Sequence, residues 1–367
     1  MGQLAFYMQD EWNATDNFKL TYGIRFDKPL YFDSARKAQD VIDVAPAYVP
    51  GIPYFNPNTE ETVFFDSTKL PSNKWLISPR VGFNWDVKND DTLQVRGGTG
   101  IFTGRFPFVW LGNQIANPNV FFYQVVDPDY KWPQVWRTSL GTDYKLDNGV
   151  ILTADLSYTK DVNGPNVQNW GLLPPSETLQ GADNRPVYGA NDLINNAYVF
   201  SNSDKGRIVN AVLKAQKNWN NDFFASLAYS YLNAKDVNSI EAEITGDAFV
   251  ANAISGNAND DVLSYSRYGD THRFVGLISK AFKTGTTVSA FYEYAQGGRF
   301  NYIYGGDINK DGSNINDLLY IPSASEVGQM NFTGAGQAAA FEAFIQQDDY
   351  LSSNRGSYAE RYGVLAP

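Results

Sequence analysis

Between Arg207 and Leu232, two stretches of alternating character flank a short polar turn. In the first, Val209, Ala211, Leu213 and Ala215 fall on one face and Asn210, Lys214 and Gln216 on the other. After Asn218-Trp219-Asn220-Asn221-Asp222, Phe223, Ala225, Leu227, Tyr229 and Tyr231 alternate with Ser226, Ala228 and Ser230. Side chains on a strand point to opposite faces in turn, so this predicts a hairpin with one apolar and one polar side. On that reading Val209, Leu213, Leu227 and Tyr229 face lipid, and Asn210, Lys214, Ser226 and Ser230 face a lumen.

The same unit recurs along the chain. Leu4, Phe6, Met8 and Trp12 precede a turn at residues 13–17, and Phe18, Leu20, Tyr22, Ile24 and Phe26 return. Pro79, Val81, Phe83, Trp85 and Val87 are answered by Leu93, Val95, Thr99 and Ile101 across Lys88-Asn89-Asp90-Asp91. Trp136, Thr138, Leu140, Thr142 and Tyr144 lead through Asp147-Asn148-Gly149 to Val150, Leu152, Ala154, Leu156 and Tyr158, and Asn-Gly is a strong hairpin signal. A fifth hairpin is read with Val275, Leu277 and Ser279 before Lys283-Thr284-Gly285, and Val288, Ala290, Tyr292 and Tyr294 after it.

Turns within hairpins are short, and the connections between them are long, as from Lys28 to Lys74, Asp161 to Lys205 and Ala234 to Asp270. That rhythm, with strands of about nine to eleven residues, predicts an all-β fold: an antiparallel transmembrane β-barrel, of which roughly ten or eleven strands are visible. Trp12, Trp85, Trp136, Tyr158 and Tyr231 fit interfacial aromatic girdles. A soluble sandwich or propeller would explain the alternation but not the rhythm of short and long connections.

Composition narrows the picture. The 367 residues carry 23 Tyr and 24 Phe at a mean hydropathy of −0.36, which suits strands with one apolar face and polar loops. A net charge of −11 argues against nucleic acid as a partner, since phosphate binding needs clustered cations. The absence of cysteine removes disulfides, thiolate metal sites and cysteine nucleophiles together. No apolar run is long enough for a transmembrane helix. The first residues lack a basic segment followed by an apolar one, so they do not read as a signal peptide.

Several motifs carry a family resemblance. Ser78-Pro79-Arg80-Val81-Gly82-Phe83-Asn84-Trp85-Asp86, with the stretch from Gln94 to Arg105, resembles a signature hairpin of the TonB-dependent outer-membrane receptors, in particular the Oar-like group of Bacteroidetes-type bacteria. Pro133-Gln134-Val135-Trp136-Arg137, Gly297-Gly298-Arg299-Phe300, the stretch from Gly306 to Pro322, and Asn354-Arg355-Gly356 fit the same group. The resemblance implies a multi-pass protein of the cell outer membrane. It would sit in outer-membrane lipid and take up an extracellular ligand with energy from a TonB complex acting through a plug domain. Such barrels have about twenty-two strands, so residues 1–367 read as a fragment of one barrel domain, with the plug and the final strands absent. The alternative is a small complete barrel acting as a surface protease or adhesin.

Candidate chemistry is sparse. His272 is the sole histidine, which excludes a multi-histidine metal site. A protease reading would pair it with Asp260-Asp261, but a strand-end histidine in a polar network is the simpler assignment, and no catalytic residues are identified. Gly97-Gly98-Thr99-Gly100 lacks the following helix and the Gly-Lys-Ser/Thr of a phosphate loop, so packing glycines are expected. Asp307, Asn309 and Asp311, followed by Gly312, have the spacing of the first half of a calcium loop, with Asp317 one residue short of the closing position. Calcium is therefore the candidate metal and no cofactor is required; a plain polar turn built from Asx bonds is the competing expectation. Arg25, Arg80, Arg96 and Arg105 are the candidate lumen-lining cations.

Overall fold

The computed structural model describes residues 2–33, 53–64, 69–105, 108–116, 123–189, 196–240 and 244–366; the connection expected from Lys28 to Lys74 lies partly outside them. Ten long strands form a wall: β1 (Gly2–Thr15), β2 (Phe18–Leu30), β3 (Leu76–Asp86), β4 (Leu93–Thr103), β5 (Gln134–Lys145), β6 (Val150–Asn169), β7 (Arg207–Trp219), β8 (Phe223–Asp236), β9 (His272–Ala281) and β10 (Thr287–Ala295). Each pairs antiparallel with the next in chain order. Among the described residues β1 and β10 have one partner each, so the sheet is open at both edges. Three short strands, Tyr123–Val126, Ala197–Ser203 and Ser264–Tyr265, join the same sheet off this path.

The pairing register sorts every side chain. One row crosses nine strands through Trp12, Leu20, Phe83, Gly97, Leu140, Leu156, Ala211, Tyr231 and His272. The other face carries Thr21, Gly82, Gly98, Ser139, Ser157 and Asn210 in a single row. The apolar face is presented outward rather than buried: Met8 is 73% exposed, Leu213 60%, Leu227 58% and Tyr292 62%. A continuous apolar face of this extent cannot be stable against water and is matched to bilayer hydrocarbon. Trp12 and Trp85 stand on it near the short turns, and Trp136, Tyr158 and Tyr231 near the long loops, as expected of two girdles. Asp10 interrupts the row on β1, where its carboxylate accepts a 2.8 Å hydrogen bond from the Tyr22 hydroxyl.

The first strand of the fifth hairpin departs from the sequence reading, whereas Ala290, Tyr292 and Tyr294 on the second share the outward row as read. Val275, Leu277 and Ser279 pair with Glu293, Phe291 and Ser289 on the polar face. The outward row is Phe274, Gly276 and Ile278 with Tyr294, Tyr292 and Ala290. Both alternating rows of β9 are apolar, so hydrophobicity alone could not choose between them, and a one-residue slip inverts every side chain.

The wall is one layer thick, and the buried core lies elsewhere. Trp110, Leu111, Val126, Tyr130, Trp132, Tyr198, Phe200 and Phe249 pack together in the long connections, with Trp110 and Phe200 ring centroids 4.2 Å apart. β6 runs past the wall and pairs with Ala197–Ser203, which lies parallel to Tyr123–Val126. The long loops therefore form a folded cap at one end of the wall. A second cluster holds the last segment in place through Leu319, Ile321, Ile345 and Leu351.

Candidate functional site

The polar face of the wall is built from long side chains that reach across glycines. Arg96 on β4 sits opposite Gly141 on β5, and Gly141 sits opposite Asp155 on β6. With no side chain in between, the Arg96 guanidinium crosses β5 to bond Asp155 Oδ1 at 2.6 Å, and its other nitrogen bonds Asp143. Thr153 Oγ1 donates to Asp143 Oδ1 at 2.6 Å and completes the group. Gln9, Gly23 and Arg80 repeat the device on β1, β2 and β3, where Arg80 Nη2 donates to Gln9 Oε1 at 2.9 Å across Gly23. Guanidinium groups are suited to such spans because the planar fork satisfies two acceptors at once.

Three of the four arginines predicted to line the lumen are on this face. Arg25 bonds the buried Asp27 through Nε at 2.9 Å and Nη2 at 2.9 Å, and Gln3 donates to the same carboxylate at 2.8 Å. Arg105 is the exception. It is exposed and lies beyond the end of β4 at Thr103, because the strand stops before the polar alternation does. Gly97 and Gly98 are packing glycines as expected: a Cβ on Gly97 would meet the Phe83 ring at 2.8 Å, and one on Gly98 the Val81 carbonyl at 2.9 Å.

In the cap, Asp307, Asn309 and Asp311 share one turn, but their oxygens face N–H groups. Asp307 accepts from the Asp311 and Gly312 amides at 3.0 Å each, and Asn309 Oδ1 from the Asp311 amide at 2.9 Å. Asp311 is fully buried and accepts from the Ser313 amide and from the Asn309 and Asn316 side chains. Burial pushes its carboxyl up to about 6 against the pull of those three donors. Asp317 does not close the loop as the sequence suggested. Its Oδ1 accepts from Arg185 Nη1 at 2.8 Å and its Oδ2 from the Ile308 amide at 2.9 Å. Among the described residues no group of three or more acidic, histidine or cysteine side chains is placed to hold a metal ion.

Arg185 is the centre of a buried clasp that alternation could not reveal. It is 1% exposed, bonds Asp183, Asp317 and the Leu318 carbonyl, and lies 5.2 Å from the ring centroids of both Tyr304 and Tyr358. The Tyr358 hydroxyl donates to Asp183 at 2.9 Å, so residues 183–185 are tied to the last segment of the chain. His272 is not part of the cap. It stands on the outward row, its Nδ1 2.8 Å from the Tyr229 hydroxyl, whereas Asp261 accepts from Asn166 at 2.6 Å.

Comparisons agree with this architecture. Residues 1–120 match a family described as an outer membrane beta barrel domain. No curated protein matches the chain. Among solved structures, the outer membrane transporter YddB from Escherichia coli is 14% identical with a TM-score of 0.52, over 84% of this chain and 35% of that one. A mutant of the ferric enterobactin receptor PfeA from Pseudomonas aeruginosa is 10% identical at a TM-score of 0.47, over 81% of this chain and 32% of that one. The siderophore receptor PirA from Acinetobacter baumannii is 10% identical at a TM-score of 0.45, over 81% and 34%. The chain thus spans about a third of the length of these structures. Its ten-strand wall is an antiparallel transmembrane β-barrel sheet of the outer membrane; in barrels of this kind the short turns are periplasmic and the longer loops extracellular.

Proposed function

We propose that this chain is part of the barrel of a TonB-dependent receptor of the Oar-like group, which takes up an extracellular ligand with energy from the inner-membrane TonB complex. The observation that carries the reading is the pairing of a polar, arginine-bearing inner wall with a folded cap on its outer end. A cap with its own core offers a ligand a fixed surface, and a lumen lined by Arg25, Arg80 and Arg96 offers polar contacts to a plug domain. The two single-partnered edge strands fit a wall continued by further strands, since backbone groups left unpaired in lipid cost several kcal/mol each. Its role is binding and passage rather than catalysis. The motif from Asp307 to Asp317 acts as a cap turn held by Asx bonds and Arg185, with calcium not required.

The test is cross-linking in outer membranes from cells producing the complete protein, using the purified periplasmic domain of TonB, with an established TonB-dependent receptor as control. A covalent adduct whose yield rises with spent growth medium as ligand source is the expected result. Absence of any adduct while the control receptor yields one would contradict the reading.

A further inference from the structure

At the outer rim of the wall, a line of cations crosses three adjacent strands on the lipid side. Lys160 on β6 is directly opposite Arg207 on β7, and Arg207 is directly opposite Lys235 on β8. Trp136 flanks the line on β5 and Tyr265 on the other side. The next positions toward the short turns are Tyr158 and Val209, which belong to the apolar face. All three cations therefore point outward, at the level where hydrocarbon gives way to headgroups.

Like charges placed opposite one another on neighbouring strands repel, and the protein relieves only one of the three. Lys235 Nζ lies 3.4 Å from Glu360 Oε1 and 4.2 Å over the Tyr265 ring. Lys160 and Arg207 are exposed, and among the described residues neither takes part in a salt bridge. The carboxylate next in sequence, Asp161, is on the polar face, where Gly164 and Gly206 make room for it. Asp204 is exposed in the loop before β7. Two adjacent uncompensated cations above an apolar surface have the charge and the position to hold an anionic lipid headgroup.

We propose that Lys160 and Arg207 form a binding site for a phosphate-bearing lipid of the outer leaflet, the phosphate lying between the two side chains and the acyl chains over Tyr158, Val209 and Ala211. The inference needs only the outer-membrane barrel sheet and is independent of what the receptor transports.

The experiment is native mass spectrometry of the complete protein, purified in detergent and titrated with diphosphoryl lipid A or, separately, with phosphatidylcholine. A saturable adduct with lipid A and none with phosphatidylcholine is expected. Lys160→Gln combined with Arg207→Gln should weaken it about thirty-fold, from about 1 kcal/mol per cation at a membrane surface. Lys214→Gln, which removes a cation from the polar face, should leave it unchanged, and Lys160→Arg should preserve it. If the double variant does not insert, each single Gln variant should weaken binding about five-fold. Equal binding by the Gln variants, equal loss in Lys214→Gln, equal uptake of phosphatidylcholine, or full displacement by millimolar inorganic phosphate would each overturn the proposal.

Discussion

Leu213 and Tyr229 stand directly opposite one another on β7 and β8, and the neighbouring pair one step along, Lys214 and Ala228, points to the other side of the sheet. Leu213 is 60% exposed, so the apolar member of each alternating pair is presented to the surroundings. In a water-soluble sheet the relation is reversed, with the apolar row buried against a second layer.

From that relation follows the cost of charge at adjacent positions. Leu227→Arg should destabilise the folded barrel by about 2–4 kcal/mol if it lies near the bilayer midplane, whereas Ser226→Arg should cost far less because it faces the lumen. Urea unfolding in lipid bilayers measures both, and equal costs would remove the assignment of faces.

Two glycines on the lumen side should differ in their tolerance of a methyl group. A Cβ on Gly23 would meet the Met8 carbonyl at 2.7 Å, and backbone cannot swing aside. On Gly141 it would meet Asp155 Oδ1 and, at 3.0 Å, the Arg96 guanidinium carbon, both ends of movable side chains. Gly23→Ala should therefore cost about 1–3 kcal/mol. Gly141→Ala should cost less, about 1 kcal/mol or below, since it breaks a half-exposed ion pair of small net value. The reverse order in unfolding midpoints would show that the arginine network matters more than the close strand approach.

Alternation and turn chemistry made most of the wall legible. The Asp147-Asn148-Gly149 turn fixes which residues of β5 and β6 face each other, Gly141 and Asp155 among them, whereas Arg96 meets Gly141 through the β4–β5 pairing across a long connection that no local signal sets. In the fifth hairpin the second strand was legible and the first was not, because Val275 and Leu277 compete with Phe274 and Ile278 on the same strand. The cap was legible only in fragments, as short apolar runs such as Val125-Val126 and Tyr198-Val199-Phe200 inside connections read as polar loops. Its core is assembled from segments far apart in sequence, and no local period records that. Arg185 was missed for the same reason: its partner Asp317 lies 132 residues away.

Removing the clasp should loosen the cap without opening the wall. Arg185→Met leaves Asp183 and Asp317 buried without their cation, a change that costs about 3–5 kcal/mol in comparable buried pairs. Limited proteolysis should then cut within residues 296–366 while β1 to β10 stay resistant. Unchanged cap cleavage would mean that the second hydrophobic cluster holds the segment by itself.

Protonation of Asp311 gives the same region a pH dependence. Its carboxyl sits at about 6 in the folded cap against an ordinary value of 3.8, so the folded state holds the proton more tightly than the unfolded one. The resulting stabilisation is fully present below pH 3.8 and is lost as pH rises through 6. Hydrogen exchange at the Ser313 amide, corrected for its intrinsic rate, should therefore be slower at pH 5 than at pH 7.5, and Asp311→Ala should abolish the difference. Millimolar calcium should leave this order unchanged. Slower exchange at pH 7.5 on adding calcium would instead reveal a cation held by Asp307, Asn309 and Asp311.

One face of this sheet meets lipid and the other a water-filled lumen, and the absence of native cysteine allows that division to be read residue by residue. Single cysteines placed in turn from Val209 to Gln216 and from Ala225 to Tyr231, spin-labelled in bilayers, report collision with oxygen from the lipid and with a nickel chelate from water. Oxygen accessibility should peak at positions 209, 211, 213 and 215 and at 225, 227, 229 and 231, with the nickel chelate favouring the positions between them. A period of two in the opposite phase, or no period at all, would contradict the account.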